Sequence, residues 1–180
     1  MNEAGYQVPV PAMIELVGRS RQASGGLRQV IGWWQAEFPL PVPAPVYLHM
    51  LDECFEPPTQ ELQVASAAAV EQMAIGQGVE LPVLAYGKLL RIYARTNNSF
   101  GVGCLRRMIK EGHAPGERLC KNVMSRCAES QNVILAESLA MCLRSSSEMD
   151  LMSYKTLMKV YAFAGMQDKA CDLYHMVLAA

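Results

Sequence analysis

Ser153-Tyr154-Lys155-Thr156-Leu157-Met158-Lys159-Val160-Tyr161-Ala162-Phe163-Ala164-Gly165, followed by Asp168-Lys169-Ala170-Cys171-Asp172-Leu173-Tyr174, reads as two helices joined by an Ala-Gly turn. Tyr154, Leu157, Met158 and Tyr161 stand at i, i+3, i+4 and i+7, positions that 3.6 residues per turn bring to one face of a helix. Past the turn, Ala170, Leu173 and Met176 mark the apolar side of the second helix. The same first-helix pattern recurs 34 residues earlier as Cys120, Val123, Met124 and Cys127, and 34 before that as Tyr86, Leu89, Leu90 and Tyr93. A step of 39 residues leads back to Tyr47, Met50, Leu51 and Cys54, and a last step of 34 to Met13, Leu16, Val17 and a small Ser20.

Each of these segments is followed by a turn signal: Ser24-Gly25-Gly26, Pro57-Pro58, Asn97-Asn98, Gln131-Asn132 and Ala164-Gly165. Second-helix cores then read Leu27, Val30, Ile31 and Trp34; Ala67, Val70 and Met73; Val102, Leu105 and Met108; and Ala136, Leu139 and Cys142. The longer step from Tyr47 to Tyr86 implies about five inserted residues, expected around Pro57 to Gln60 with some after Met73, since loops absorb length at little entropic cost. Self-similarity at a fixed period marks a solenoid rather than a bundle. The fold class is therefore all-α, an α-α superhelix of about five helix-turn-helix repeats of about 34 residues. The expected repeats are 10-43, 44-82 with the insertion, 83-116, 117-150 and 151-180, the last incomplete at its end. Residues 1-9 match the tail of a preceding repeat, because Met1-Asn2-Glu3-Ala4-Gly5-Tyr6 parallels Met108-Ile109-Lys110-Glu111-Gly112-His113, each followed by a proline, Pro9 or Pro115. With no polar capping helix at either end, the chain reads as a segment of a longer protein.

Two families build helical hairpins near this period. A tetratricopeptide repeat would have glycine three residues before Tyr161, where Met158 stands, and an earlier tryptophan. The Tyr-led first helix, Ala164-Gly165 turn, Ala170-led second helix and Gly112-x-x-Pro115 tail instead resemble the pentatricopeptide repeat (PPR) family, sharply over 83 to 180 and more weakly over 10 to 82. The resemblance implies a non-catalytic protein that binds single-stranded organellar RNA and supports its processing, stability or translation, in a mitochondrion or chloroplast. It also implies base reading at the residue after each first-helix anchor, here Ile14, Leu48, Gly87, Lys121 and Lys155. The second such position is the last residue of each repeat, here Pro9, Pro43, Pro82, Gly116 and Asp150. Of these only Asp150 is of the expected type, and an aliphatic side chain or glycine offers no amide or hydroxyl to a base edge.

Charge gives RNA a different handle. Residues 1 to 82 carry three basic and nine acidic side chains, residues 83 to 180 thirteen and eight, so an acidic half precedes a basic one. First helices of the basic half carry Lys88, Arg91 and Arg95, then Lys121 and Arg126, then Lys155 and Lys159, with Glu117 and Glu129 their only acids. With Asp150, these seven cations form the candidate RNA-binding set, because a basic stripe across successive hairpins can follow a phosphate backbone. The Tyr and Met anchors are expected in the core.

The alternative is a helical-repeat scaffold for protein partners in an organellar assembly. Neighbouring Trp33 and Trp34 diverge by about 100° on a helix, so one of them leaves the buried face, and an exposed tryptophan anchors partners. No His-x-Glu with Cys-x-x-Cys, phosphate loop or nucleophile elbow occurs, so neither catalytic residue nor metal, cofactor or small-molecule substrate is expected. His49, His113 and His175 read as isolated surface or interface residues. Six cysteines without a CxxC pair read as free, buried thiols of a reducing compartment. No apolar run is long enough to span a membrane, and Met1 to Pro11 shows neither signal nor transit character.

Overall fold

The computed structural model describes residues 8–19, 26–37, 42–55, 60–146 and 149–179. Among them ten helices occur: α1 (Val10–Arg19), α2 (Gly26–Glu37), α3 (Ala44–Glu53), α4 (Gln60–Gly76), α5 (Val83–Tyr93), α6 (Phe100–Lys110), α7 (Glu117–Ser130), α8 (Val133–Ser146), α9 (Leu151–Phe163) and α10 (Gln167–Ala179). No strand occurs among the described residues. The tail Met1–Gln7 and the turn signals at Ser24-Gly25 and Pro57-Pro58 lie outside the described residues.

The chain forms two compact units, Met1–Ala85 and Tyr86–Ala180. In the first, α1 packs on α3, α2 on α4, and α3 on α4. In the second, α7 packs on α9 and α6 on α8, while α7 with α8 and α9 with α10 close the hairpins. First helices thus lie on first helices and second on second, the arrangement by which a repeat buries a face it cannot cover alone.

Local chemistry sets the helix ends. Extended Pro43 and Gly116 precede α3 and α7, and Pro45 sits in the first turn of α3, where a missing N–H costs nothing. After α6, Gly112 takes φ 84°, and His113 N–H donates to Met108 O at 3.0 Å. Gly165 does the same after α9, with φ 74° and Met166 N–H donating to Tyr161 O at 2.9 Å. A left-handed residue there lets the last carbonyls find donors, and glycine adopts it without steric strain.

Second helices begin sixteen residues after their first helices (Val10 to Gly26, Ala44 to Gln60, Glu117 to Val133, Leu151 to Gln167), or seventeen from Val83 to Phe100. The extra residues of the second repeat therefore do not widen its turn, contrary to the placement around Pro57 to Gln60. They lengthen α4, whose 17 residues exceed the 11 of α6 and 14 of α8. They fall within α4 before Ala74 and not after Met73, because the bond from Val79 N–H to Ala74 O and the left-handed Gly78 match those of His113, Met108 and Gly112, each glycine eight residues before the next anchor.

Tyr47, Met50, Leu51 and Cys54 are wholly buried, as are Tyr86, Leu89, Leu90 and Tyr93 and then Cys120, Val123, Met124 and Cys127. Outer helices depart from that pattern: Met13, Leu16, Tyr154 and Met158 are half-buried, and Met176 is exposed. The reason is packing on one side only, α1 against α3 and α10 chiefly against α9. Val102 and Cys142 are also half-buried.

Polar contacts repeat along with the apolar ones. Tyr47 donates its hydroxyl to Gln77 Oε1 at 2.8 Å, and Tyr86 donates to Glu111 Oε2 at 2.6 Å. In both hairpins the anchor tyrosine ties down the end of the second helix, so Gln77 occupies the role of Glu111 despite the longer α4. In the second unit, Ser130 Oγ donates to Ala94 O at 2.7 Å, and Asn132 Nδ2 donates to Thr96 O and Asn98 O at 3.0 Å each. Successive turns are bonded directly to one another.

Candidate nucleic-acid interface

All eight candidate residues lie in the second unit, on or beside α5, α7 and α9. Lys88, Arg91 and Arg95 are half-buried; Lys88 and Arg91 share one face of α5, at i and i+3, and Arg95 lies in the turn just past its end. The Arg91 Nε is buried without a hydrogen-bond partner, whereas Lys88 and Arg95 both have interactions within the protein. One repeat on, Lys121 Nζ lies 2.8 Å from Asp150 Oδ2 and also pairs with Glu117, one helical turn before it. Asp150 caps α9, accepting from the Ser153 N–H at 2.9 Å and the Ser153 hydroxyl at 2.6 Å.

The Lys121 ammonium beside Asp150 holds that carboxyl well below the usual carboxylate range, helped by the two Ser153 bonds. Asp150, and then Glu117, raise the Lys121 pKa in return. Both side chains remain substantially solvated, at 34 % and 47 % exposure, so screening keeps the pair modest in energy.

Spacing by 34 residues brings Gly87, Lys121 and Lys155 to one row, Lys88, Asn122 and Thr156 to the next, and Arg91, Ser125 and Lys159 to a third. Arg126 belongs to none of these. Its counterparts Ile92 and Val160 are fully buried, and Arg126 itself is half-buried, its Nε donating to Asn122 Oδ1 at 3.5 Å. Gly87 is buried, and a Cβ there would meet Leu119 Cδ1 at 3.6 Å, so α7 packs over the place where the next repeat presents Lys121. Lys155 and Lys159 are exposed on α9, one turn apart, beside an open groove of about 540 Å3 lined also by Met152, Thr156, Met158, Ala162 and Ala170. Met158, expected in the core, is thus part of a surface.

Sequence reasoning singled out Lys121 and Asp150 separately but not their contact, and it missed Glu117 as the third member. The i, i+4 spacing of Glu117 and Lys121 carried that signal. His49 is not isolated either: its Nε2 lies 3.8 Å from Glu53 Oε1. Trp33 is 46 % exposed and Trp34 2 %, the divergence expected of adjacent helical positions. Among the described residues no three His, Cys, Asp or Glu side chains group to hold a metal ion, and no helix is long and apolar enough to cross a membrane.

No family model and no curated protein matches this sequence. Among solved structures, the crystal structure of the pentatricopeptide repeat protein PPR10 from maize is similar over 97 % of this chain and 25 % of that one, with a TM-score of 0.62 and 18 % identity. The fold is that of a pentatricopeptide repeat array. A second PPR10 structure, in complex with an 18-nt psaJ RNA element, covers 93 % of this chain and 24 % of its own, with a TM-score of 0.57 and 19 % identity. The chain thus spans about a quarter of the length of the pentatricopeptide repeat structures it matches. In pentatricopeptide terms, the two positions singled out for reading in repeat 117-150 are the ion-paired Lys121 and Asp150, whereas in repeat 83-116 both are glycine, Gly87 and Gly116.

Proposed function

We propose that this chain binds single-stranded RNA without catalysis, as part of a pentatricopeptide-like array serving RNA processing, stability or translation in a mitochondrion or plastid. The observation that carries this reading is the cation-rich first helices of the second unit, with Lys88 and Arg91 on α5 and Arg95 just past its end, Lys121 on α7, and Lys155 and Lys159 on α9. Acids in these three helices are confined to Glu117 and Glu129. The like-folded PPR10, solved with an RNA element, lends further support. Phosphates are the chemical target, because glycine at both reading positions of repeat 83-116 leaves Lys88 and Arg91 to supply charge instead of base contacts.

Titration of labelled single-stranded RNA at two salt concentrations tests this. Affinity is expected to fall steeply with salt, and Lys121, Lys155 and Lys159 changed together to Glu should lower it at least about tenfold. Absence of binding at low salt sinks the reading.

A scaffold for protein partners in an organellar assembly is the second reading, favoured by the half-exposed indole of Trp33.

A further inference from the structure

We propose that Asp150 withholds Lys121 from the phosphate backbone, so that hairpin 117-150 is a gap in the basic stripe, crossed by an RNA strand without a phosphate contact at Lys121. The proposal rests on the RNA reading above and adds where the strand is not gripped.

The gap follows from the three rows that the 34-residue period defines on the first helices. In hairpin 83-116 they hold Gly87, Lys88 and Arg91, and in hairpin 151-180 they hold Lys155, Thr156 and Lys159. In hairpin 117-150 they hold Lys121, Asn122 and Ser125, so Lys121 is the sole cation in these rows. It stands between two carboxylates, with Asp150 Oδ2 at 2.8 Å and Glu117 one helical turn before it. A phosphate that approaches this ammonium meets repulsion from two acids along with attraction to one base.

Asp150 competes well because the fold fixes it in place. Its Oδ1 accepts from the Ser153 N–H at 2.9 Å and from the Ser153 hydroxyl at 2.6 Å, at the positive end of the 13-residue α9. Ser153 is itself buried, so solvent does not loosen that anchor. A carboxylate already held at the ammonium loses no translational freedom in the contact, whereas a phosphate must be brought in from solution. Lys121 in turn holds the Asp150 carboxyl well below the usual carboxylate range, so the competitor is charged throughout the neutral range. Lys121, Asp150 and Glu117 are 34 %, 47 % and 60 % exposed, within reach of a passing strand. Charge balance rather than burial closes the site.

The test uses the whole chain and a fluorescein-labelled single-stranded oligouridylate. Fluorescence anisotropy across a salt series gives the affinity and, from its slope against salt, the number of phosphates neutralised. Lys121→Gln is expected to leave both unchanged. Asp150→Asn, which keeps a good N-cap, should tighten binding about three- to tenfold at low salt and steepen the slope by about 0.7, the change for one added phosphate contact. The double variant Asp150→Asn/Lys121→Gln should return to the parent. Glu117→Gln, on an exposed side chain, should act in the same direction as Asp150→Asn, and it carries the test if Asp150→Asn alters the circular-dichroism spectrum. A loss of affinity and slope in Lys121→Gln overturns the proposal, because Lys121 would then already hold a phosphate. So does RNA binding that neither Asp150→Asn nor Glu117→Gln strengthens, or a gain that survives in the double variant. Those outcomes leave the RNA reading standing, whereas absence of binding at low salt by both the parent and Asp150→Asn removes the two together.

Discussion

Asn132 donates from Nδ2 to the carbonyl of Asn98, the residue at the same place in the preceding repeat, at 3.0 Å. The same amide donates to Thr96 O, and its Oδ1 accepts from the Leu135 N–H at 3.2 Å, so one fully buried side chain caps α8 and ties two turns together. Like-numbered residues in contact are what a stack of hairpins requires.

Removing that side chain takes one donor from each of the Thr96 and Asn98 carbonyls and the capping acceptor from the Leu135 N–H. Asn132→Ala is expected to cost about 2–3 kcal/mol in urea unfolding. Asn132→Asp keeps the cap but turns a carboxylate on two carbonyls, so it should be no better than alanine. An Asp variant as stable as the parent would show that the inter-turn bonds contribute little.

Two glycines of α6 separate packing from propensity. A Cβ on Gly101 would lie 2.6 Å from Leu135 Cδ2, on a fully buried leucine of α8, whereas one on exposed Gly103 meets nothing within 4 Å. Gly101→Ala should lower stability by about 1–3 kcal/mol through overpacking, and Gly103→Ala should raise it by up to about 1 kcal/mol, since alanine is the better helix former. Equal effects of the two changes would mean that α6 does not press on α8 at Gly101.

Lys121 and Asp150 give a pH dependence with a definite sign. Asp150 has its folded pKa below the unfolded 3.8, so its contribution is present above that value and is lost as pH falls below it. Lys121 has its folded pKa above 10.5, so its contribution is present below that value and is lost as pH rises past it. Asp150→Asn retains a good N-cap and removes only the charge. The parent should therefore exceed this variant in urea midpoint near neutrality, with the gap closing in acid and shrinking in high salt. A gap that persists unchanged in acid would assign it to something other than the ion pair.

The six thiols should differ sharply in reactivity. Burial pushes Cys54 and Cys127 up to about 12 and Cys120 to about 11, and Cys104 is buried as well. Cys171 is exposed and Cys142 half-buried, a departure from six buried thiols. Maleimide at neutral pH should modify Cys171 first, Cys142 slowly, and the other four only in denaturant, as read by intact mass. Rapid loss of all six in native buffer would contradict this packing.

The hairpins were legible because a helix writes its buried face locally: Tyr86, Leu89, Leu90 and Tyr93 announce their side by spacing alone, and all four are buried. The length of α4 was not, because Ala and Val on nearly every side of Gln60–Gly76 give its apolar face no edge. Within the candidate site, residue type located the cations, and the period alone could have set Arg126 apart, since Ile92 and Val160 share its place. The meeting of Lys121 and Asp150 spans 29 residues, beyond the reach of any local pattern.

The near-constant step from first to second helix, set against the elastic return through α4, bears on how such repeats should be aligned. The outward leg is the ruler and the return leg is where gaps belong. A comparison that opens its gap after Gln77 would set Gln72 against Glu111 and so pair Tyr47 with the wrong hydroxyl acceptor, five residues and more than a turn away.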